Sequence, residues 1–346
     1  MAKVTPKENF LKLAGGGHPE YVPFFNMGGD EYMGEAAFKR ANLTIFPNTR
    51  QPDGSGRDMW GVPYIATKET ANAALPEPGN YILKDVRKWR DVIKRPLVEE
   101  NIDWEAMAKA DMERIKLDRT QTALGGSASF GPFMTLTNMM GLTEGMCAMF
   151  EEPEAVKELF NWIVDFFEPY NQKILDYYKP DVWNLSDDTC AEDNPFFSVA
   201  MYRDLFKPIY ARMAKPAVDR GIPVLFHICG RMEDFVPEMI DFGVKYVEPA
   251  QESNDLLALK ATYKGKVSIM GGFDWGKHVP RNYPNFSEEE LRQDVRSAID
   301  QYSVGGAYAF FAWPISYLGD TVIEEVKRII RDECHFYGRK VYGYQD

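Results

Sequence analysis

Pro223-Val224-Leu225-Phe226-His227-Ile228-Cys229-Gly230, followed by a helical stretch Met232–Phe242, Gly243 and Lys245-Tyr246-Val247-Glu248, is the part of the chain whose reading decides the fold. An apolar run of strand length ends in a polar residue and a glycine. A helix closed by a glycine follows, then a second apolar run, and together they make one βαβ unit. Neither run alternates apolar with polar. A strand that is apolar on both faces belongs in a parallel sheet covered on both sides.

The rhythm extends in both directions. Upstream, Thr122–Gly126 reads as a short strand, Thr143–Phe150 and Pro153–Tyr178 as helices with Pro153 in a first turn, Asp181–Ser186 as a strand, and Ser198–Arg220 as a helix closed by Gly221. Downstream come a helix at Asp255–Tyr263, a strand at Val267–Gly271, a helix at Ser287–Tyr302, a strand at Ala307–Ala312 and a last helix at Thr321–Tyr337. Ser287 and Glu290 form a capping box for the Ser287–Tyr302 helix. Nearer the start, Thr5 caps a short helix over Pro6–Leu13, Tyr21–Phe25 reads as a strand, another lies within Trp60–Thr67, and Leu97–Leu117 reads as a helix. The total of about eight strands alternating with helices predicts an α/β fold, a (β/α)8 TIM barrel. The whole of 1–346 forms one domain in this reading, with an irregular N-terminal elaboration within residues 1–120. A doubly wound open sheet competes less well, because no Gly-x-Gly-x-x-Gly follows any strand.

Composition narrows the function. The chain has 346 residues, 45% hydrophobic and 27% charged, with a formal net charge of −12. That balance supports a large core, and the acidity argues against nucleic acid and anionic lipid as partners. No apolar run approaches the roughly 20 residues that span a bilayer. The opening residues lack the apolar core of a secretory signal, and Cys147, Cys190, Cys229 and Cys334 are scattered, so a reducing cytoplasm is the expected home.

In a barrel of this kind the chemistry sits at the C-terminal ends of the strands. The residues there are Asn26 and Met27; Gly125 and Gly126; Asp187, Asp188 and Cys190; His227 and Cys229; Glu248 and Gln251; Gly271, Gly272 and Asp274; Trp313 and Pro314. His227 and Cys229 point to one side of an extended chain, and imidazole with thiolate is a zinc ligand pair that needs a third member from a neighbouring strand. The alternative is that His227 hydrogen-bonds a loop carbonyl and Cys229 fills core. Glu248 ends the adjacent strand as a third ligand, a carboxylate orienting His227, or a general acid or base. Alternation sends one of Asp187 and Asp188 toward the mouth for hydrogen bonding or proton transfer, and the other away. Asn26, Met27, Gln251, Asp274 and Trp313 are the expected substrate contacts, with Trp313 flooring a pocket for a flat ring. His278, among Lys277, Pro280 and Arg281, reads as a loop histidine rather than a ligand.

Gly131-Pro132-Phe133, Gly141, Glu152-Pro153-Glu154, Asp187-Asp188, Gly221-Ile222-Pro223, His227-Ile228-Cys229-Gly230, Phe242-Gly243, Glu248-Pro249, Asn254-Asp255 and Gly271-Gly272-Phe273-Asp274 occur in an order and spacing that resembles the uroporphyrinogen decarboxylase superfamily. The resemblance is greater to its corrinoid-dependent methyltransferase branch, and it implies a (β/α)8 barrel. Decarboxylases of the superfamily carry an arginine-rich segment after the first strand. Here Phe24-Phe25-Asn26-Met27-Gly28-Gly29-Asp30-Glu31 has no arginine and two acids, which disfavours a polycarboxylate substrate. The methyltransferase branch implies zinc held by a His-x-Cys pair, here His227 and Cys229, and in its thiol-methylating members by a later cysteine. No cysteine stands near Ala312-Trp313-Pro314, and Cys334 lies in the final helix. Glu248 is then the replacement ligand, with Cys190 second.

The expected function is transfer of a methyl group from a small methylated substrate to the corrinoid of a separate protein, an O-demethylase type of chemistry. A methoxylated aromatic ring suits the aromatic residues, and Glu248 or Asp188 or the metal would activate the ether oxygen. Two further readings stand beside it. One is a lyase acting on a smaller carboxylate with Asp187 or Asp188 as proton donor. The other is a non-catalytic tetrapyrrole- or corrinoid-binding protein.

Overall fold

A computed structural model describes residues 4–25, 37–40, 43–46, 49–68, 70, 73–316 and 319–344. Its centre is a curled, wholly parallel sheet of seven strands whose spatial order is their chain order. They are β1 (Phe38–Arg40), β2 (Ala123–Gly126), β3 (Val182–Ser186), β4 (Val224–His227), β5 (Val244–Ala250), β6 (Ser268–Gly271) and β7 (Tyr308–Phe310). Tyr21–Phe25 runs beside β7, with a parallel bridge between Phe24 and Phe310 and the Phe25 amide donating to the Phe310 carbonyl at 2.8 Å. Among the described residues no ladder joins this segment to β1.

The strands are apolar on both faces because both faces are covered. Val182, Leu225, Tyr246, Met270 and Ala309 point inward, where they meet Phe25, Phe38 and the short helix α1 (Pro6–Leu11). Thr5 and Glu8 cap α1 reciprocally, which seats Phe10 and, just beyond the helix, Leu13 against the inner face. Outward residues such as Trp183, Phe226 and Val247 pack on a surrounding layer of helices. That layer includes α2 (Pro132–Met140), α3 (Pro153–Lys173), α4 (Lys207–Val218), α5 (Val236–Asp241), α6 (Leu256–Thr262), α7 (Glu288–Ser303) and α8 (Ile323–Lys340). In α3, Val156, Leu159, Phe160, Ile163, Val164 and Phe167 form the buried stripe of a helix on a sheet. Among the described residues, no helix is long and apolar enough to cross a membrane.

Two expectations are corrected. The strand expected within Trp60–Thr67 is Pro63–Ala66, but it pairs antiparallel with Gly56–Arg57 and Ala74–Pro76 in a separate small sheet. Its place beside β2 is taken by β1, whose three residues are too few to show a period. The helix expected over Leu97–Leu117 begins only at Trp104, where Asp103 accepts the Ala106 amide as N-cap.

Candidate metal centre

The ends of β3, β4 and β5 lie side by side, with Ser186 opposite His227 and His227 opposite Glu248. Leu225 faces the interior and Phe226 the helices, so alternation turns His227 inward one layer above Leu225. Cys229 follows on the same side, and its Sγ is 3.7 Å from His227 Nε2. Asp188, just past β3, reaches the same point. Its Oδ1 is 3.7 Å from His227 Nε2 and accepts the Cys229 amide at 3.0 Å.

The ligand atoms of Asp188, His227 and Cys229 all lie within 4.8 Å of one another. In a tetrahedral zinc site with bonds of about 2.0–2.3 Å, neighbouring ligand atoms stand roughly 3.5 Å apart. The observed spacings and the imidazole, thiol and carboxylate donors therefore fit zinc. Three protein ligands leave a fourth position for a reactant.

Glu248 is fully buried behind this cluster. Its Oε1 lies 2.9 Å from His227 Nδ1, while Oε2 is buried without a hydrogen-bond partner. This is the arrangement in which a carboxylate fixes the tautomer and orientation of a metal-binding histidine. Of the roles open to Glu248 in the sequence, the geometry brings it to His227 and keeps it out of the ligand cluster. Burial works against charge on His227, but the Glu248 carboxylate, with hydrogen bonds to Cys229 and Glu248, outweighs it and pushes the pKa up to about 10. Burial pushes the Cys229 thiol up, with His227 opposing and Asp188 adding to the rise.

The two adjacent aspartates part company as alternation requires. Asp187 is fully buried and accepts from the Phe133 amide at 2.8 Å, the Met134 amide at 3.0 Å and the Tyr210 hydroxyl at 2.6 Å. It therefore anchors the start of α2, and burial, partly offset by these bonds, raises its pKa to about 7. Asp188 is the one that reaches His227 and Cys229.

A cavity of about 790 Å³ opens over His227 and Cys229. Gln251, Asp274 and Trp313 line it, as do Phe273, Trp275, Phe311, Ile315, Lys277 and Glu192. Gln251 Oε1 accepts the Gly230 amide at 2.5 Å and so ties down the turn after Cys229. Asp274 and Glu252 clasp each other: each carboxylate accepts the other's backbone amide, at 2.8 and 2.9 Å. His278 Nε2 lies 2.8 Å from the same Glu252 carboxylate, outside the metal cluster. Burial raises the Asp274 pKa, with the Glu252 charge adding to it. Trp313 is 51% exposed at the rim, its ring 6.3 Å from that of Phe311. Asn26 and Met27 lie outside the described residues. Cys190 is buried, 3.9 Å from the Thr189 hydroxyl and not in the cluster, and burial pushes its thiol up to about 12. Cys334 is buried in α8, on the helical layer.

Sequence reasoning missed Tyr210, which holds Asp187, and Lys277 and Glu252 beside the cavity. Glu252 was findable as the first acid after the β5 end.

Comparison with known proteins agrees with this architecture. The profile of the uroporphyrinogen decarboxylase (URO-D) family matches residues 76–331. No curated protein matches the chain significantly. Among solved structures, a methyltransferase from Methanosarcina mazei is similar over 97% of this chain and 100% of its own, at 13% identity and a TM-score of 0.59, which is a likeness of fold. A uronate isomerase from Bacillus halodurans matches 69% of this chain and 63% of its own, at 11% identity and a TM-score of 0.31, too low to carry an argument. The profile spans most of the chain and encloses the whole His227 cluster, so the chain belongs to the uroporphyrinogen decarboxylase family.

Proposed function

We propose that the protein is a methyltransferase of this family's corrinoid-dependent kind, taking a methyl group from a small methylated donor and passing it to a corrinoid carried by a separate protein. The reading takes the curled sheet as the wall of a (β/α)8 barrel with Tyr21–Phe25 as its eighth member. The observation that carries it is the convergence of Asp188, His227 and Cys229 at the strand ends, beneath a cavity, with Glu248 behind the imidazole. A solved structure with a similar fold along its whole length bears the name methyltransferase, which supports the same reading.

Zinc held by Asp188, His227 and Cys229 would supply Lewis acidity to the heteroatom from which the methyl group departs. The chain's own residues do the rest. Glu248 holds the Nδ1 side of His227, so that Nε2 faces Cys229 and Asp188. Gln251 and Asp188 fix the backbone on either side of Cys229, at the Gly230 and Cys229 amides. Phe311 and Trp313 give the cavity an apolar side that suits a methoxylated aromatic donor, and its volume lies within the range of small-molecule sites. Asp187 has both oxygens engaged and no exposed surface, so it is not placed to give a proton to a substrate in the cavity. The lyase reading is thereby left with Asp188 alone.

The test is incubation of the zinc-loaded protein with a reduced corrinoid protein and a panel of methoxyaromatics and methylamines, following the spectrum of methyl-cobalt. Methyl-cobalt formed with one donor, and lost in Cys229→Ala, is the expected result. No methyl-cobalt with any donor, from a protein shown to bind zinc, sinks the proposal.

A further inference from the structure

Below the metal cluster the interior of the sheet is apolar, but in the layer of the cluster itself it is not. Phe10 of α1 lies between Phe38 of β1 and Tyr246 of β5, with ring centroids 5.6 and 5.3 Å away. The two strands therefore face each other across the interior. Inward side chains recur every second residue, so the next inward pair along these strands is Arg40 and Glu248. Asn184 enters the same layer from β3. Between β3 and β1 stands Gly125 of β2, where a Cβ would lie 2.3 Å from the Phe38 ring and 2.4 Å from Asn184 Oδ1. With only hydrogen there, the Asn184 amide leans across β2 toward β1.

The polar atoms brought together in this way are orphaned. Arg40 Nε, Asn184 Oδ1 and Nδ2, the Tyr246 hydroxyl and Glu248 Oε2 are all buried and have no hydrogen-bond partner among the described residues. Asn184 is 4% exposed, and Tyr246 and Glu248 not at all. Buried polar atoms are paired in the great majority of cases, so five orphans on four inward residues from three strands mark an assembled polar compartment. Burial lowers the Arg40 pKa and the Glu248 charge opposes that, while neither Arg40 Nε nor Glu248 Oε2 has a described hydrogen-bond partner. Arg40 only donates, Glu248 only accepts, and Asn184 and Tyr246 do both. Water is the small molecule that satisfies all four.

We propose that Arg40 is a positioning residue for the metal centre, holding Glu248 through buried water so that Glu248 in turn fixes His227. This rests on the metal reading of Asp188, His227 and Cys229. A carboxylate without exposed surface needs an opposite charge or several donors to stay in place. The Nδ1 group of His227 satisfies one of its oxygens, and among the described residues Arg40 is the inward-facing arginine of the strand across the interior. Arg40 is not among the described residues that line the cavity, so its effect on the metal would run through Glu248 and His227.

The experiment measures the affinity of the metal-free full-length protein for Zn²⁺ alone, near neutral pH, by competition with a chromophoric chelator. Arg40→Met, Arg40→Lys, Glu248→Gln and the Arg40→Met/Glu248→Gln double variant are compared with the unaltered protein. Loss of such outer partners typically weakens metal binding by about 10–100-fold, and that is expected of Arg40→Met and of Glu248→Gln. Arg40→Lys keeps the charge and stays within about threefold of the unaltered protein. The double variant binds no more weakly than Glu248→Gln, because residues acting through one network are not additive. Arg40→Met binding like the unaltered protein, a full multiplication of the two single losses, or Arg40→Lys falling as far as Arg40→Met each overturns the proposal. An Arg40→Met chain that does not fold while the double variant does upholds it, since removing both charges restores what removing one destroys. If neither folds, Arg40→Lys decides. Failure of the unaltered protein to bind zinc overturns the metal reading and this inference together, whereas a zinc-binding protein indifferent to Arg40→Met overturns this inference alone.

Discussion

The lower and upper layers of the interior are built by the same strands, two residues apart, and differ in nearly everything else. Below stand Phe10, Phe25, Phe38, Val182, Leu225, Tyr246 and Met270, a stacked apolar plug. Above stand Arg40, Asn184, His227 and Glu248, with Asp188 and Cys229 arriving from the loops. One alternation of the chain therefore separates the residues that hold the sheet together from those that hold a reacting group. Each layer should fail by itself when its own side chains are removed.

The sharpest way to break the comparison is Phe10→Ala. It removes the ring that packs against Phe25, Phe38 and Tyr246 at once. Truncating a buried phenylalanine costs about 3–5 kcal/mol, so denaturant unfolding should shift by that amount. Zinc affinity of the folded protein should stay where it was. A large change in zinc affinity would show that the layers are not independent.

The converse is Cys229→Ala. Structural zinc sites bind with about 10–16 kcal/mol shared among their ligands, so losing one of three should cost roughly a thousandfold in zinc affinity. Cys229 is only half-buried, so stability of the metal-free protein should move by less than about 1 kcal/mol. A chelator titration and a urea curve on the same sample decide it. Retained zinc affinity removes Cys229 from the ligand set.

Asp187 and Asp188 repeat the comparison within one dipeptide. Asp187→Asn puts an amide where donors from Phe133, Met134 and Tyr210 converge. A mispaired buried group costs about 1–3 kcal/mol, and this loss should appear in unfolding with zinc affinity kept. Asp188→Asn should do the reverse. If both variants change the same property, the division of labour between them is wrong.

Much of this was legible in the sequence where several cues agreed. The runs at Val182, Val224, Val244 and Ser268 are strand-length, apolar on both faces and separated by helices with glycine stops, so topology followed from their order. His227, Cys229, Asp188 and Glu248 were legible because strand ends carry the few polar residues in otherwise apolar runs. Two things were hidden. The strand within Trp60–Thr67 had the right composition, but nothing local tells a parallel partner from an antiparallel one. Arg40 sits on a three-residue strand after an irregular stretch, and only the position of Phe38 against Phe10 shows which way it faces. The roles of Asp188 and Glu248 were likewise left open, because alternation along one strand does not say how far a side chain on the next one reaches.

The pH dependence separates, by its sign, the metal-free from the metal-bound state of the upper layer. In the metal-free protein burial disfavours a charged His227, but the Glu248 carboxylate and the hydrogen bonds prevail, raising the folded pKa from 6.5 to about 10. A raised folded pKa means the folded state binds the proton more tightly than the unfolded chain does. The resulting stability is fully present below about 6.5 and is lost as pH climbs toward about 10. Zinc requires the same imidazole deprotonated and the Cys229 thiol ionised, so its binding strengthens over that window. The melting temperature of the metal-free protein should therefore fall from pH 6.5 to 10, by up to roughly 6 °C, while the increment given by added zinc grows. Lower-layer variants such as Phe10→Ala should lower both curves in parallel and leave their divergence intact. A zinc increment that stays constant with pH would mean that His227 is not the group giving up its proton to the metal.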